Sequence, residues 1–312
     1  MPGALAYVDR IIKESGVAAV ASTACGFSWP NISINQPGCL NMVFNDGFRV
    51  IQSDKALQDV VNGDAAYSGL PMMYQTGFVD TALIKIAKEV TGNFFMSMIP
   101  DVYSAIVFTS LTDKFASSLR PLAICGHSSH SGGAAAMSNK ERNEEYNPAL
   151  KFFREENIPF HNDLPMLQDG TVVRSIQAMV YESYLQARPF HHHKDIKTSH
   201  EKQLFLILRD APPHFSQMID DWSRIFADQH QLDLNSVKAQ LNSIHTKFYL
   251  LLRRLKGYWH YLRYMIAIPS EPSLPIQTVF DAGLVAATLL KIKPSWAFRI
   301  SHIAHKARQR FL

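Results

Sequence analysis

Residues 79–126 read VDTALIKIAKEVTGNFFMSMIPDVYSAIVFTSLTDKFASSLRPLAICG and alternate between helical and strand-like apolar patterns. Apolar residues at helical spacing predict a helix over 79–91 and a second helix over 101–115. The short apolar runs 93–99 and 119–126 are typical of buried strands. Alternation of this kind indicates an α/β layer architecture with a largely buried sheet.

The chain ahead of this segment also alternates. A helix is predicted over 5–12, with Gly16 placed to end it, and VAAVAS (17–22) is short, apolar and typical of a buried strand. Residues 23–45 are rich in Asn, Gly, Pro and Ser, which indicates loops. Only two or three strands are predicted, and the chain opens with a helix, whereas an α/β domain normally opens with a strand. Either the fold is unusual or the front of the domain precedes this chain.

After Gly133 the pattern changes to one of helices without a predicted strand. The predicted helices are 145–156, 171–188, 199–209, 215–230, 234–256 and 273–290. We therefore expect an α/β region over residues 1–140 and a mostly helical region over residues 141–312.

Composition bounds the class of protein. Apolar residues make up 47% of the 312 residues and charged residues 19%, a balance typical of globular proteins rather than disordered ones. No run of about 18 apolar residues occurs, so no transmembrane helix is predicted. The three cysteines, Cys25, Cys39 and Cys125, are odd in number and scattered, which excludes a disulfide scaffold or a zinc site of the CxxC type.

The net charge of +4 is unevenly distributed. Residues 234–312 hold 12 Lys and Arg against two acidic residues, so residues 1–233 hold 19 basic and 25 acidic residues. The stretches FYLLLRRLKGYWHYLRYMIAI (248–268) and WAFRISHIAHKARQRFL (296–312) interleave basic residues with Leu, Tyr and Trp. This mixture favours helices that lie on an anionic membrane, although a helix docked on its own domain with a basic edge has the same composition. Nucleic-acid binding is not predicted, because no recognisable module accompanies the charge.

Three stretches together resemble the later part of a family 2 glycosyltransferase: GLPMMYQTGFVDTALI (69–84), TGNFFMSMIPDVYSAIVFTSL (91–111) and LRPLAICGHSSHSGGAAA (119–136). The resemblance is to the bacterial enzymes that build surface polysaccharides from nucleotide-sugars, and it covers residues 1–136. It implies the second half of an A-type glycosyltransferase fold, a nucleotide-binding α/β sandwich.

In that family the first half holds the nucleotide, and an acidic motif binds a divalent metal and the sugar diphosphate just before a Gly-Ala-Leu-like helix start. This chain begins with Met1-Pro2-Gly3-Ala4-Leu5. The resemblance therefore implies that the nucleotide-binding half lies upstream, and that Mn²⁺ or Mg²⁺ is held mainly by residues outside this chain. The alternative is a genuine start codon on a divergent protein.

Asp101 is the first candidate site residue, since it follows Pro100 and opens a predicted helix. It resembles the acidic residue that serves as catalytic base in this family. A carboxylate is needed there because the acceptor hydroxyl must lose its proton as it attacks the anomeric carbon. Aspartate is also a favoured helix N-cap, so Asp101 has a structural interpretation as well.

The segment GHSSHSGG (126–133) combines glycines, hydroxyls and imidazoles directly after a predicted strand. Its glycines would let the backbone approach phosphate oxygens closely. By resemblance, Ser128, His130 and Ser131 border the donor diphosphate, and His130 is a possible additional metal ligand. A polar loop without a ligand has the same composition. Tyr74 lies where the resemblance places an acceptor-side loop.

The resemblance thus implies a transferase, inverting in stereochemistry, that moves a sugar from a nucleotide-sugar donor to a saccharide or lipid-linked acceptor. It implies a cytoplasmic protein that is peripheral on the inner face of the cell membrane. The alternative is a non-catalytic relic or a peripheral membrane interaction module. The donor sugar, the acceptor and the linkage stay open, since pocket shape rather than motifs sets them.

Overall fold

The computed structural model describes residues 1–30, 38–73, 76–128, 158–191 and 194–292, with 127 and 260–264 described by their backbone alone. Helices and strands are numbered separately along these residues. The elements are α1 (Ala4–Ser15), β1 (Ala19–Ser28), β2 (Cys39–Val43), β3 (Phe48–Gln52), α2 (Ser53–Val61), β4 (Phe78–Val79), α3 (Thr81–Thr91), α4 (Pro100–Ser110), β5 (Lys114–His127), α5 (Ile176–Gln186), α6 (His200–Arg209), α7 (Ser216–His230), α8 (Leu234–Asn242), α9 (Ile244–Tyr264), β6 (Met265–Pro269) and α10 (Val279–Ile292).

The strands form one mixed sheet in the order β3-β5-β1-β2-β6, and β4 pairs with the first part of β1. The central pair, β1 and β5, is parallel, and the other pairs are antiparallel. The predicted α/β class is therefore confirmed. Parallel strands in the middle of a sheet are covered on both faces, which explains the nearly continuous apolar run VAAVAS, in which every residue but Ala18 is buried.

A bulge divides the central strand pair into two parts. Ser22 of β1 pairs with Ser118 and Ala24 with Ala123, so four residues of β5 face Thr23 alone. The Thr23 hydroxyl donates a hydrogen bond to the Leu119 carbonyl at 3.2 Å across the bulge. Extra residues of this kind bend the strand and increase its twist.

The main hydrophobic core joins the two halves of the chain. It packs Phe108 and Phe115 with Trp222 and Phe226, all fully buried. A smaller core includes Cys25, Phe27, Leu40, Met42 and Ile266, which lie on β1, β2 and β6. Residues from both sides of the 140/141 boundary thus contribute to the main core and to the sheet.

Strand β6 corrects the expectation that no strand follows Gly133. Residues 265–269 pair with β2 over its full length, from Met265 opposite Val43 to Pro269 opposite Cys39. MIAIP directly follows a long helix in sequence, so its apolar residues read as the end of that helix. The strand forms because β2 offers it a partner more than 220 residues away in sequence.

Two further expectations were wrong. The run 93–99 is not a strand, because its apolar side chains pack against α4, where the Phe94 ring stacks on Phe108 at 5.4 Å between centroids. Within the described residues the sheet has six strands rather than two or three, because β2 lies within the predicted loop 23–45 and β3, β4 and β6 were not predicted.

The predicted helices are largely present within the described residues. The helices predicted over 199–209 and 215–230 match α6 and α7 within one residue. The helix predicted over 101–115 ends at Ser110, and Phe115 belongs to β5. The helix predicted over 234–256 is two helices separated at Ser243, and the helix predicted over 145–156 lies outside the described residues.

Helix α3 has a side-chain cap that can be tested. The Asp80 carboxylate accepts a hydrogen bond from the Ala82 backbone N–H at 2.9 Å. We expect Asp80→Ala to lower the free energy of unfolding by about 1 kcal/mol, because the N–H loses its acceptor. Asp80→Asn should be nearly neutral, since asparagine caps helices about as well. Urea denaturation measures both variants, and equal losses in both would show that the cap contributes nothing.

Candidate active site at the N-terminus of helix α4

Helix α4 brings Asp101 to the border of the main core. From Val102 to Ser110 the helix is buried, whereas Asp101 in its first turn is half-buried. Pro100 suits this start, because the first helical position needs no backbone N–H donor. A carboxylate in the first turn also faces the positive end of the helix dipole. Among the described residues of α4, the two that are half-buried, Pro100 and Asp101, both lie in its first turn.

Asp101 does not occupy the N-cap position of α4. The N-cap position of α4 falls on Ile99, which has no side-chain acceptor, and Asp101 is the second residue of the helix. Asp101 therefore does not act as the N-cap that its sequence context suggested. A stabilising effect of its charge on the helix dipole is compatible with this position.

The loop that carries Tyr74 is attached to the same turn of α4. The Met73 backbone N–H donates to the Ser104 hydroxyl at 3.0 Å, and the Ser104 hydroxyl donates to the Asp101 carbonyl at 3.0 Å. The loop is tightly closed, since a Cβ on Gly77 would lie 2.2 Å from the Met72 carbonyl oxygen. Tyr74 itself lies outside the described residues, next to Met73. The Ser104 hydroxyl thus joins the backbone of Met73, next to Tyr74, to the helix turn that holds Asp101.

Several buried hydroxyls near this loop lack partners among the described residues. They include the Thr76 hydroxyl in the loop, the Ser22 hydroxyl on β1 and the Tyr103 hydroxyl on α4. Ser22 and Thr76 are neighbours, because the Ser22 backbone N–H donates to the Thr76 carbonyl at 3.1 Å. Buried polar atoms without partners are uncommon in folded proteins and point to water or a ligand that the protein atoms do not supply.

A buried carboxylate, Glu182 on α5, holds the segment that leads into α4. Its carboxylate accepts hydrogen bonds from the Ser97 hydroxyl and, at 3.0 Å, from the Gln186 amide. Ser97 in turn accepts the Ile99 backbone N–H at 3.2 Å. Burial raises the pKa of Glu182, and the hydrogen bonds from Ser97 and Gln186 oppose that rise. Glu182 therefore positions the backbone directly before Asp101.

Sequence reasoning missed Glu182 because no motif surrounds it. The available signal was a single carboxylate in the otherwise apolar or uncharged segment IQAMVYESYLQ of α5. A lone charged residue on a buried helix needs hydrogen-bond partners, and one of these partners, Ser97, lies 85 residues away in sequence.

The donor-side candidates lie elsewhere or outside the described residues. Ser128 directly follows the last residue of β5 and is half-buried. That end of β5 approaches Trp29, whose Nε1 would lie 3.1 Å from a Cβ on Gly126, at the border of the smaller core. His130 and Ser131 lie outside the described residues. Asp101 and Ser128 thus border different hydrophobic cores.

The described residues also include side-chain types that can bind metals or act as nucleophiles. Within them no three His, Cys, Asp or Glu side chains converge as a metal site would require. Burial raises the pKa of the Cys125 thiol and raises that of Cys25 to about 11, so both stay protonated near neutral pH. A protonated thiol is a poor nucleophile.

Two open cavities lie away from α4. One, of about 560 Å³, lies among α2, α6, α8 and α9 and is lined by Lys202, Arg209, His245 and Tyr249. The other, of about 630 Å³, borders α7 and is lined by Asp169, Asp221, Arg224 and Asp228, among others. In the second cavity Arg224 pairs with Asp221 at 3.5 Å, and in the first the Tyr249 hydroxyl donates to Asp64 at 3.0 Å. Neither resembles a preorganised set of reacting groups.

None of the helices in the described part of the chain has the length and apolar character needed to span a bilayer. The chain matches no family model, no curated protein and no solved structure.

Proposed function

We propose that this chain forms the acceptor side of a glycosyltransferase that moves a sugar from a nucleotide-sugar to a saccharide or lipid-linked acceptor. The observation that supports the proposal is the attachment of the Tyr74-bearing loop to the first turn of α4 through Ser104. That attachment puts a half-buried carboxylate, Asp101, beside a loop that the family resemblance assigns to the acceptor.

In the proposed reaction, Asp101 accepts the proton of the attacking hydroxyl. The acceptor oxygen forms a bond to the anomeric carbon, while the bond from that carbon to the nucleoside diphosphate breaks and its electron pair leaves with the diphosphate. Direct attack opposite the leaving group inverts the configuration of the anomeric carbon. A positioned carboxylate contributes roughly 10²–10⁴-fold to such a step by taking the proton as the bond forms.

The donor-side proposals depend on the family resemblance. Ser128, His130 and Ser131 would border the diphosphate, and a divalent metal would be held mainly by residues outside this chain, with His130 as a possible further ligand. Mn²⁺ or Mg²⁺ neutralises the charge that develops on a departing diphosphate. The described residues contain no cluster of metal ligands, so no step is assigned to the metal here. The proposed location is the cytoplasmic face of the cell membrane.

The test of the proposal is transfer activity in the full-length protein. With UDP-, GDP- and dTDP-sugars presented in turn with Mn²⁺, we expect release of nucleoside diphosphate with one donor class and loss of that release with EDTA. Residues 1–312 alone should show no micromolar binding of these donors in calorimetry, because the resemblance assigns nucleotide contacts to the family's first half. Micromolar binding by residues 1–312 would contradict that division. A full-length protein that turns over no donor would support the alternative, a non-catalytic relic or peripheral module.

A further inference from the structure

Helix α9 carries a continuous apolar stripe that faces away from the protein. At 3.6 residues per turn, side chains three and four positions apart share one face of a helix. Seven large side chains of α9 fall within such a face, and their exposed fractions run from 49% to 78%. They are Ile244, Phe248, Leu251, Leu252, Leu255, Tyr258 and Trp259. Contiguous apolar patches of this kind mark interaction sites on soluble proteins.

The same helix contacts the rest of the protein through its polar face. The Tyr249 hydroxyl donates to Asp64 at 3.0 Å, and the Arg253 guanidinium donates to Asp210 at 3.0 Å. Thr246, one turn earlier, is buried and donates to the Gln240 carbonyl at 2.9 Å. A surface helix normally turns its apolar stripe to the core, whereas the stripe of α9 is exposed, and from Leu251 to Trp259 every residue is exposed. Its specific polar contacts fix this orientation.

The charges around the stripe indicate what covers it. Lys247 and Arg254 lie along one edge of the stripe and Lys256 along the other, by their helical positions. Residues 244–264 contain no Asp or Glu. Among the described residues none of these three cations forms an ion pair, in contrast to Arg253 on the docked face. A stripe with positive charge on both edges is complementary to a flat, negatively charged surface.

We infer that α9 is an interfacial helix that lies on an anionic lipid bilayer. The stripe enters the boundary between headgroups and acyl chains, and Lys247, Arg254 and Lys256 contact the lipid phosphates. Tyr258 and Trp259 have the amphipathic rings that are enriched at this depth. At 21 residues the helix is about 32 Å long and lies in the membrane plane. This inference does not depend on glycosyl transfer.

The test is sedimentation of the full chain with vesicles of phosphatidylcholine, with and without phosphatidylglycerol. We expect the chain to bind the anionic vesicles and to bind them less as salt rises, because ions screen the charges. Lys247→Glu with Arg254→Glu should weaken binding about 25-fold or more, from about fivefold for each lost basic residue. Leu251→Glu with Leu255→Glu should abolish binding to either vesicle.

Helix α3 supplies matched controls. Ile86 and Val90 are exposed apolar residues at the same four-residue spacing, and Lys85 and Lys88 are exposed basic residues. Ile86→Glu with Val90→Glu, and Lys85→Glu with Lys88→Glu, should leave vesicle binding unchanged. Equal losses in the α3 variants would overturn the inference, because added negative charge at any place would then suffice. Unchanged thermal unfolding confirms that the α9 variants fold.

The depth of the stripe provides a second measurement. Lipids brominated on their acyl chains should quench tryptophan emission in the wild-type chain, and the quenching should fall strongly in Trp259→Phe. Unchanged quenching in Trp259→Phe would overturn the proposed orientation. The stripe could instead join two copies of the chain. In that case the wild type would form a dimer and would not bind vesicles, and Leu251→Glu with Leu255→Glu would dissociate the dimer. That result would also overturn the inference.

Discussion

Asp101→Asn is expected to lower the turnover of the proposed glycosyl transfer by about 100-fold or more, the usual scale for loss of a general base. Asparagine keeps the size of the side chain and one oxygen, but it cannot accept the proton of the attacking hydroxyl. Donor affinity should change little, because the base acts on the acceptor. Steady-state rates with saturating donor, combined with donor titrations, measure the two effects separately.

The matched control for Asp101 is Asp54. Asp54 is also the second residue of a helix, α2, and lies in its first turn. Asp54→Asn should therefore include any general effect of removing a carboxylate from a helix N-terminus, together with loss of the Asp54 ion pair to Lys194 at 2.6 Å, while leaving turnover intact. If Asp101→Asn keeps full turnover, the catalytic role is wrong.

The sequence was informative about local structure and much less so about strand pairing. The helices α3, α6 and α7 follow from apolar periodicity and end signals within their own residues. Strands β2 and β6 are defined by each other across more than 220 residues, and no local pattern in a five-residue strand specifies such a partner. The run 93–99 shows the opposite error, because burial against α4 produces the same apolar run as burial in a sheet.

The candidate site divides in the same way. The proposal of Asp101 rests on a local pattern, Pro-Asp at a helix start, that a family resemblance can interpret. The attachment of the Tyr74 loop through Ser104 could not, since it depends on a contact between residues 31 positions apart. The role of Glu182 could not be predicted either, because its partner Ser97 lies 85 residues away in sequence. Residues that position a catalytic group are therefore harder to predict than the group itself.

Removing the Glu182 side chain is expected to lower the free energy of unfolding. In Glu182→Ala the His161 backbone N–H loses its carboxylate acceptor, whereas the Ser97 hydroxyl can still bond Ser183 and the Gln186 amide still donates to the Pro159 carbonyl. A buried donor left without a partner costs about 1–3 kcal/mol, so we expect a loss of about that size. Glu182→Gln keeps one acceptor oxygen and should cost less. The exposed Glu201 on α6 is the control, and Glu201→Ala should change the free energy of unfolding only slightly.

The stability that Glu182 provides should also depend on pH in a defined direction. Burial raises the pKa of Glu182 above its ordinary value of 4.5, so the folded protein holds this proton at pH values where the unfolded chain has lost it. Where the folded state binds more protons, stability falls as pH rises. The wild type should therefore lose stability relative to Glu182→Gln as pH rises from 4.5 through the folded pKa, and the difference should level off above it. Urea denaturation of both proteins between pH 4.5 and 8 measures this difference. A constant difference, or one that grows in favour of the wild type, would show that the donors from Ser97 and Gln186 outweigh burial and hold Glu182 as a carboxylate at acidic pH.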